Sequence, residues 1–436
     1  MLIAASAFAQ EEQKAAEPWT LWKSKALVTP YSENLSDDEK VAGLARFWSE
    51  VKFNFANFAL VPNLDWDAEF MAYLPRVRAT KSTAEYYRVL QELCAKLHDG
   101  HTYVWPPKAA QPQFFADVPL TTRLVEGRVI VTSGEGVTVG DELLSIDRIP
   151  AKDYGAQRVA PYVFASTPQD RDLRTYTNFL LTGPVDTTVH LTFKDANEHV
   201  YTKDITRTFP TPGPSPAPKP LAIFEVLDGN IGHLSLMSFS DERIRGEYDA
   251  LWEQVAKTSA LIIDVRANGG GNGSNGFYVL STLTDKPFQT SRWRTRKYLP
   301  AERAWNRPEQ WEEHEAGTRE PDGKRLYTKP VFLLIGTRTF SAAEDFASAF
   351  VAMKRGHVIG QPSGGSTGQP LIITLPGGGT LGICTKHDSM PDGTEFVGVG
   401  VQPDIAIVPT IADVRAKRDA TLLRAVDEAK RAIQLK

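Results

Sequence analysis

The strongest constraint on how this chain can fold is the stretch from Lys329 to Ser366. It opens with an unbroken apolar run, Val331-Phe332-Leu333-Leu334-Ile335, bounded by Pro330 and Gly336. The run is too short for an ordinary helix and has no polar face, so it predicts a strand buried on both sides. From Ala342 the spacing turns helical, with Phe346, Ala347, Phe350 and Val351 on one face and Gly356 past the end. Ser341 therefore stands where a buried strand hands over to a helix. The unpaired N–H groups of a helix start favour negative charge, and the N–H of Ala342 lies next to the serine. Such a junction suits a nucleophile with an oxyanion donor beside it. The same residues, Ser341-x-x-Glu344, also fit a capping box in which the serine only ties off the helix.

A second run, Ala260-Leu261-Ile262-Ile263-Asp264-Val265, leads into Asn268-Gly269-Gly270-Gly271-Asn272-Gly273 and then a helix. Gly271-x-Gly273-x-x-Gly276 fits the spacing of a dinucleotide loop. That fingerprint needs an acidic residue at the end of a second strand about 20 residues on, where this chain has Ser291-Arg292-Trp293-Arg294. The alternative use of these glycines is to bring backbone N–H groups close to a developing oxyanion.

The surrounding chain divides by pattern. Residues 1–35 are irregular, and Ala7-Phe8-Ala9 reads as the cleavage site of a secretory signal whose start is missing. Residues 36–108 predict a helical domain ending in Leu97-His98-Asp99-Gly100-His101-Thr102. Residues 109–208 alternate as short strands and carry Val139-Gly140-Asp141-Glu142-Leu143-Leu144, which resembles the signature of PDZ domains. Residues 209–221 form a proline-rich linker. Residues 222–436 predict a βα core closed by a terminal helix from Ile411 to Leu435, with a polar and aromatic insertion over 286–328 read as a solvated lid in which Arg294 or Arg296 could meet a substrate carboxylate. A net charge of −4 argues against a nucleic-acid partner, and no apolar run reaches the length of a membrane span. Cys94 and Cys384 are too few to make a disulfide framework. His98 and His101 lack a third metal ligand, so neither metal nor cofactor is expected; His357 and His387 read as surface.

Four motifs in order carry a family resemblance: Leu97-x-Asp99-Gly100-His101-Thr102, Ile263-Asp264-Val265-Arg266-x-Asn268-Gly269-Gly270-Gly271, Thr339-Phe340-Ser341-Ala342-Ala343-Glu344, and Gly400-Val401-Gln402-Pro403-Asp404. Together they resemble the carboxyl-terminal processing (tail-specific) proteases and their relative, the tricorn core protease. The resemblance implies an α/β fold with a ClpP/crotonase-like βα core, an N-terminal helical domain and a PDZ-like β domain. It implies a periplasmic or secreted serine endopeptidase acting on peptides or unfolded protein tails. Ser341 would be the nucleophile, with oxyanion donors from Ala342 and from Gly270 or a neighbouring glycine. In the processing branch a lysine base follows the serine by about 25 residues; here Ser366 holds that position, and no lysine occurs from Gly356 to Thr385. The tricorn-like branch uses a histidine, and His101 falls on its motif. Neutral imidazole with an ordinary pKa of about 6.5 suits proton removal near neutrality. A carboxylate should complete the site. The position before Gly398 is Val397, which leaves Glu395 as the first candidate and Asp392 as the second, with Ser366 as possible support. Two rival readings share the fold: an inactive protein that binds a peptide or other ligand, and a crotonase-type acyl-CoA enzyme that would not need Ser341.

Overall fold

A computed structural model describes residues 27–210 and 218–435. The expected signal cleavage site and most of the proline-rich linker lie outside the described residues. The fold is mixed α/β with several sheets. At its centre a six-stranded sheet runs in the order Ile405–Ala406, Gly356–Gly360, Val331–Ile335, Ala260–Asp264, Ile231–Leu236, Ala222–Leu227. All neighbours are parallel except the last pair, Ala222–Leu227 with Ile231–Leu236. Two-sided burial explains the apolar runs. Leu261, Ile263, Leu333 and Ile335 pack under the helices Arg243–Lys257, Gly273–Leu280 and Ala342–Ala352. Ala260, Ile262, Phe332 and Leu334 pack under the helix Ala420–Gln434 through Ala425 and Ala429. The chain end is two helices rather than one: Ile411–Arg415 and Ala420–Gln434 are separated by Lys417, whose positive φ of 50° cannot continue a helix.

The helices Asp37–Asn54, Trp66–Ala79 and Thr83–Ala95 pack around Phe47, Phe55, Tyr86 and Leu90. Their core is completed from far away. The strands Pro370–Thr374 and Thr380–Cys384 form a sheet with Tyr103–Trp105 and insert Ile373, Leu375, Leu381 and Ile383 among the helices. Cys94 and Cys384 are both buried in this cluster as free thiols.

Residues 120–206 build a separate antiparallel sheet with Leu120–Val125 on one edge and Val200–Thr206 on the other. The insertion expected to be a solvated lid is instead a β-ribbon: Arg292–Lys297 pairs with both Gln310–His314 and Lys386–Ser389. Arg296 is not free for a ligand, because its guanidinium donates to the carbonyls of Lys52 and Phe55.

Candidate active site

Ser341 is held in a strained backbone conformation, φ 56° and ψ −129°. A non-glycine residue there costs on the order of 1–3 kcal/mol, so the surroundings must impose it. They do so through the residue's own N–H, which donates to Ser366 O at 3.1 Å and to Glu344 Oε2 at 3.2 Å. Glu344 N–H returns to the carbonyl of Ser341 at 2.7 Å, which leaves the hydroxyl free to point elsewhere. It meets His101 Nε2 at 3.0 Å. The other ring nitrogen, Nδ1, meets Ser366 Oγ at 2.8 Å. The structure therefore brings Ser341, His101 and Ser366 into one line of hydrogen bonds.

His101 arrives from the turn after the Thr83–Ala95 helix and is clamped on three sides. Its ring stacks on Phe340 at 4.7 Å, with planes 10° apart. The Arg174 guanidinium lies over the Phe340 ring, 5.2 Å from its centre. The backbone N–H of His101 donates to Asp99 Oδ1 at 2.9 Å. Burial, helped by the cations of Arg174 and Lys386, pushes the imidazole pKa down to about 3. The ordinary value expected from sequence is thus corrected downward: desolvation penalises the charged ring, and no carboxylate at Nδ1 offsets it.

Neither expected carboxylate bonds to His101. The chain turns back after Lys386–Ser389, with Met390 N–H on Thr394 O and a bridge between Ser389 and Glu395. That turn aims Glu395 at His387, with Oε2 2.5 Å from Nε2. Asp392 is exposed and accepts from the N–H of Thr394 within the turn. His387, read as surface, is only 7% exposed. Its Nδ1 meets Asn57 Oδ1 at 2.8 Å, and Asn57 Nδ2 donates to Asp99 Oδ2 at 2.7 Å. A chain of hydrogen bonds, Glu395–His387–Asn57–Asp99, thus ends on the backbone of His101.

A carboxylate does lie under the site. Glu344 is fully buried and accepts from Ser363 Oγ at 2.5 Å, Gly365 N–H at 2.6 Å and Ser366 N–H at 2.9 Å, besides Ser341 N–H. Burial pushes its carboxyl up to about 8, against the pull of these donors, Ser363 first. Glu344 fixes the backbones of both hydroxyl residues that flank the histidine. Its place three residues after Ser341 was visible in the sequence only as a capping partner.

The glycine loop lies against the serine: a Cβ on Gly270 would fall 2.7 Å from Ser341 Cβ and 2.8 Å from Ala342 N. Gly270 N–H itself donates to Asn268 Oδ1 at 2.9 Å. The N–H groups of Gly271 and Ala342 carry no hydrogen bond among the described residues. Of the two loop N–H groups beside the serine, that of Gly270 is engaged by Asn268 and that of Gly271 is not. Among the described residues no group of His, Cys, Asp and Glu has the makings of a metal site.

The part of this geometry that carries Ser341 and the glycine loop sits inside a recognisable domain. Residues 230–407 match peptidase family S41 and include the strand–serine–helix junction and the glycine loop. Over this domain the chain is similar to carboxyl-terminal processing proteases. A carboxy-terminal-processing protease of Bartonella bacilliformis is 26% identical over 201 residues, 45% of this chain and 43% of that protein. A chloroplastic C-terminal processing peptidase of Tetradesmus obliquus is 24% identical over 42% of this chain and 36% of that protein. The matches thus span less than half the length of these curated relatives. The crystal structure of mature CPAF superposes with a TM-score of 0.72 at 18% identity, covering 92% of this chain and 98% of that one, which shows a shared fold.

Proposed function

We propose that the chain is a serine endopeptidase that cleaves peptides or unfolded protein tails through an acyl-enzyme. The observation that carries this is the 3.0 Å contact between Ser341 Oγ and His101 Nε2, made by a serine held in a strained backbone conformation. In this reading His101 is neutral at working pH and takes the Ser341 proton as the hydroxyl attacks the scissile carbonyl. The developing oxyanion is met by the N–H groups of Ala342 and of Gly271 or Gly270. Ser366 accepts from Nδ1–H and holds the tautomer that leaves Nε2 free to accept, the place a carboxylate takes in a Ser-His-Asp triad. His101 then gives the proton to the leaving amine. The base is a histidine rather than a lysine: Ser366 stands at the expected lysine position, and the nearby Lys386 is held by Asp388 at 2.7 Å.

The central sheet is read as a ClpP/crotonase-like core and the 120–206 sheet as PDZ-like. The edge strand Leu120–Val125 would present an extended peptide by strand addition. A periplasmic or secreted location belongs to the same reading, and no described helix is long and apolar enough to cross a membrane. One observation favours a second reading, an inactive peptide-binding protein on the same fold: the imidazolium formed on proton transfer would face only a hydroxyl at Nδ1. A serine-reactive fluorophosphonate separates the two. Labelling confined to Ser341, together with hydrolysis of an unfolded protein, supports the peptidase. No labelling at any pH between 5 and 9 overturns it.

A further inference from the structure

We propose that the cavity between the helical unit and the 120–206 sheet is a binding site for a carboxylate carried on an aromatic or branched apolar body. The site is separate from the Ser341–His101 pair, and the proposal does not rest on hydrolysis.

The cavity encloses about 290 Å3 and is walled by Trp105, Phe115, Tyr154, Phe164 and Phe179. Arg88, Arg158 and Arg207 also line it, and no aspartate or glutamate does. Arg88 is held against two rings, 4.5 Å from the centre of Phe114 and 4.9 Å from that of Tyr162. Its hydrogen bond goes to Gln91 Oε1 at a long 3.4 Å, and it forms no salt bridge among the described residues. Arg207 is 6% exposed. Its Nε donates to Leu181 O at 2.7 Å and one Nη to Thr187 Oγ1 at 2.9 Å, again with no salt bridge. Asp117 is the carboxylate whose titration feels Arg207, but it is turned to the N–H of Val118 and does not line the cavity.

Guanidinium groups withdrawn from water without an anion are costly, and burial lowers the Arg88 pKa accordingly. A carboxylate would offset that cost through charge-assisted hydrogen bonds, for which the planar fork of arginine is suited. The aromatic walls add the second requirement, since a small hydrated anion would leave them uncovered. Size adds the third. Ligand pockets start at about 300 Å3, so this one takes a single ring or side chain rather than an extended segment. The occupant is then a free arylalkanoic or branched acid, or the last residue of a chain with its terminal carboxylate.

Calorimetry on the full chain tests this, with 3-phenylpropionate as the probe and 3-phenylpropionamide as its neutral twin. The acid should bind saturably and about tenfold or more tighter than the amide, the increment of one charge-assisted contact. Arg88→Gln should erase the preference while the melting temperature holds. If that variant fails to fold, the comparison of acid with amide on the unaltered chain still decides. An acetylated tripeptide ending in phenylalanine distinguishes the sources: saturable binding that is lost in its C-terminal amide supports a chain terminus, and binding of 3-phenylpropionate alone supports a free acid. Equal binding of acid and amide, or no saturable binding of either acid, overturns the proposal.

Discussion

Two histidines in this molecule are buried to the same degree, 8% exposed for His101 and 7% for His387, and their neighbours give them opposite tasks. His101 lies between two hydroxyls, Ser366 Oγ and Ser341 Oγ. A hydroxyl can donate or accept, so a neutral ring is satisfied there and can exchange a proton along the line. His387 lies between Asn57 Oδ1 and Glu395 Oε2. Both are acceptors, the amide being oriented by its donation to Asp99, so the ring fills both bonds only by donating twice. The first environment sets the ring between two hydroxyls; the second ties it between an amide oxygen and a carboxylate. Partner chemistry rather than burial decides which histidine can be a base.

The contrast can be broken by substitution. The largest effect should come at Ser341: Ser341→Ala loses peptide hydrolysis by several orders of magnitude, with a melting temperature within a few degrees of the parent. Retained turnover would reduce the serine to a helix cap, and the change would then cost only about 1 kcal/mol of stability. His101→Ala should follow, losing on the order of 10³-fold or more in kcat. Ser366→Ala unpairs Nδ1 and should cost roughly 10- to 100-fold, the rate equivalent of about 1–3 kcal/mol for an orphaned buried donor. A loss at Ser366 equal to that at Ser341, with His101→Ala near parental activity, would mean that the base lies elsewhere.

The effect of pH comes next, and its sign is set by burial. The folded pKa of His101, about 3, lies below its unfolded value of about 6.5, so the unfolded chain binds more protons in between. The neutral ring's contribution to stability is therefore present above about 6.5 and lost as pH falls toward 3. Denaturant melts at several pH values should show a smaller acid loss for His101→Gln than for the parent. The acid limb of kcat/KM should likewise fall below the ordinary histidine range; a limb near 6.5 would show that water reaches the ring in the working enzyme. The smallest effect on turnover should be that of Glu395→Gln, because four hydrogen-bonded groups separate it from the reacting atoms. It should change kcat by less than about tenfold while lowering stability. A loss as large as that of His101→Ala would collapse the distinction between the two histidines.

The strand–serine–helix junction was legible in the sequence because it is a local construction: Val331–Ile335, the turn and Ala342–Ala352 are consecutive, and each announces itself by pattern. His101 was legible only through its motif. What was lost depends on distance or direction. Asn57 and His387 are 330 residues apart, so their contact leaves no periodic trace. Glu395 was expected beside the pair from strand alternation, but the turn at 390–394 reverses the chain and sends the side chain to His387. Glu344 carried a surface signature, a cap, and became fully buried because the 363–366 loop closes over it. The 286–328 insertion looked polar enough for solvent, yet its backbone pairs with Lys386–Ser389 and its Arg296 caps the carbonyls of Lys52 and Phe55.

The helical unit near the start of the chain borrows Ile373, Leu375, Leu381 and Ile383 from near its end. On a ribosome this fixes an order of events. The helices that position His101 emerge early but have an unfilled interior until residue 384 has left the exit tunnel. By then Ser341, its strand and its helix have also been made. Ser341 and His101 can settle into register only in a nearly finished polypeptide, so a half-made chain carries both residues and not their contact.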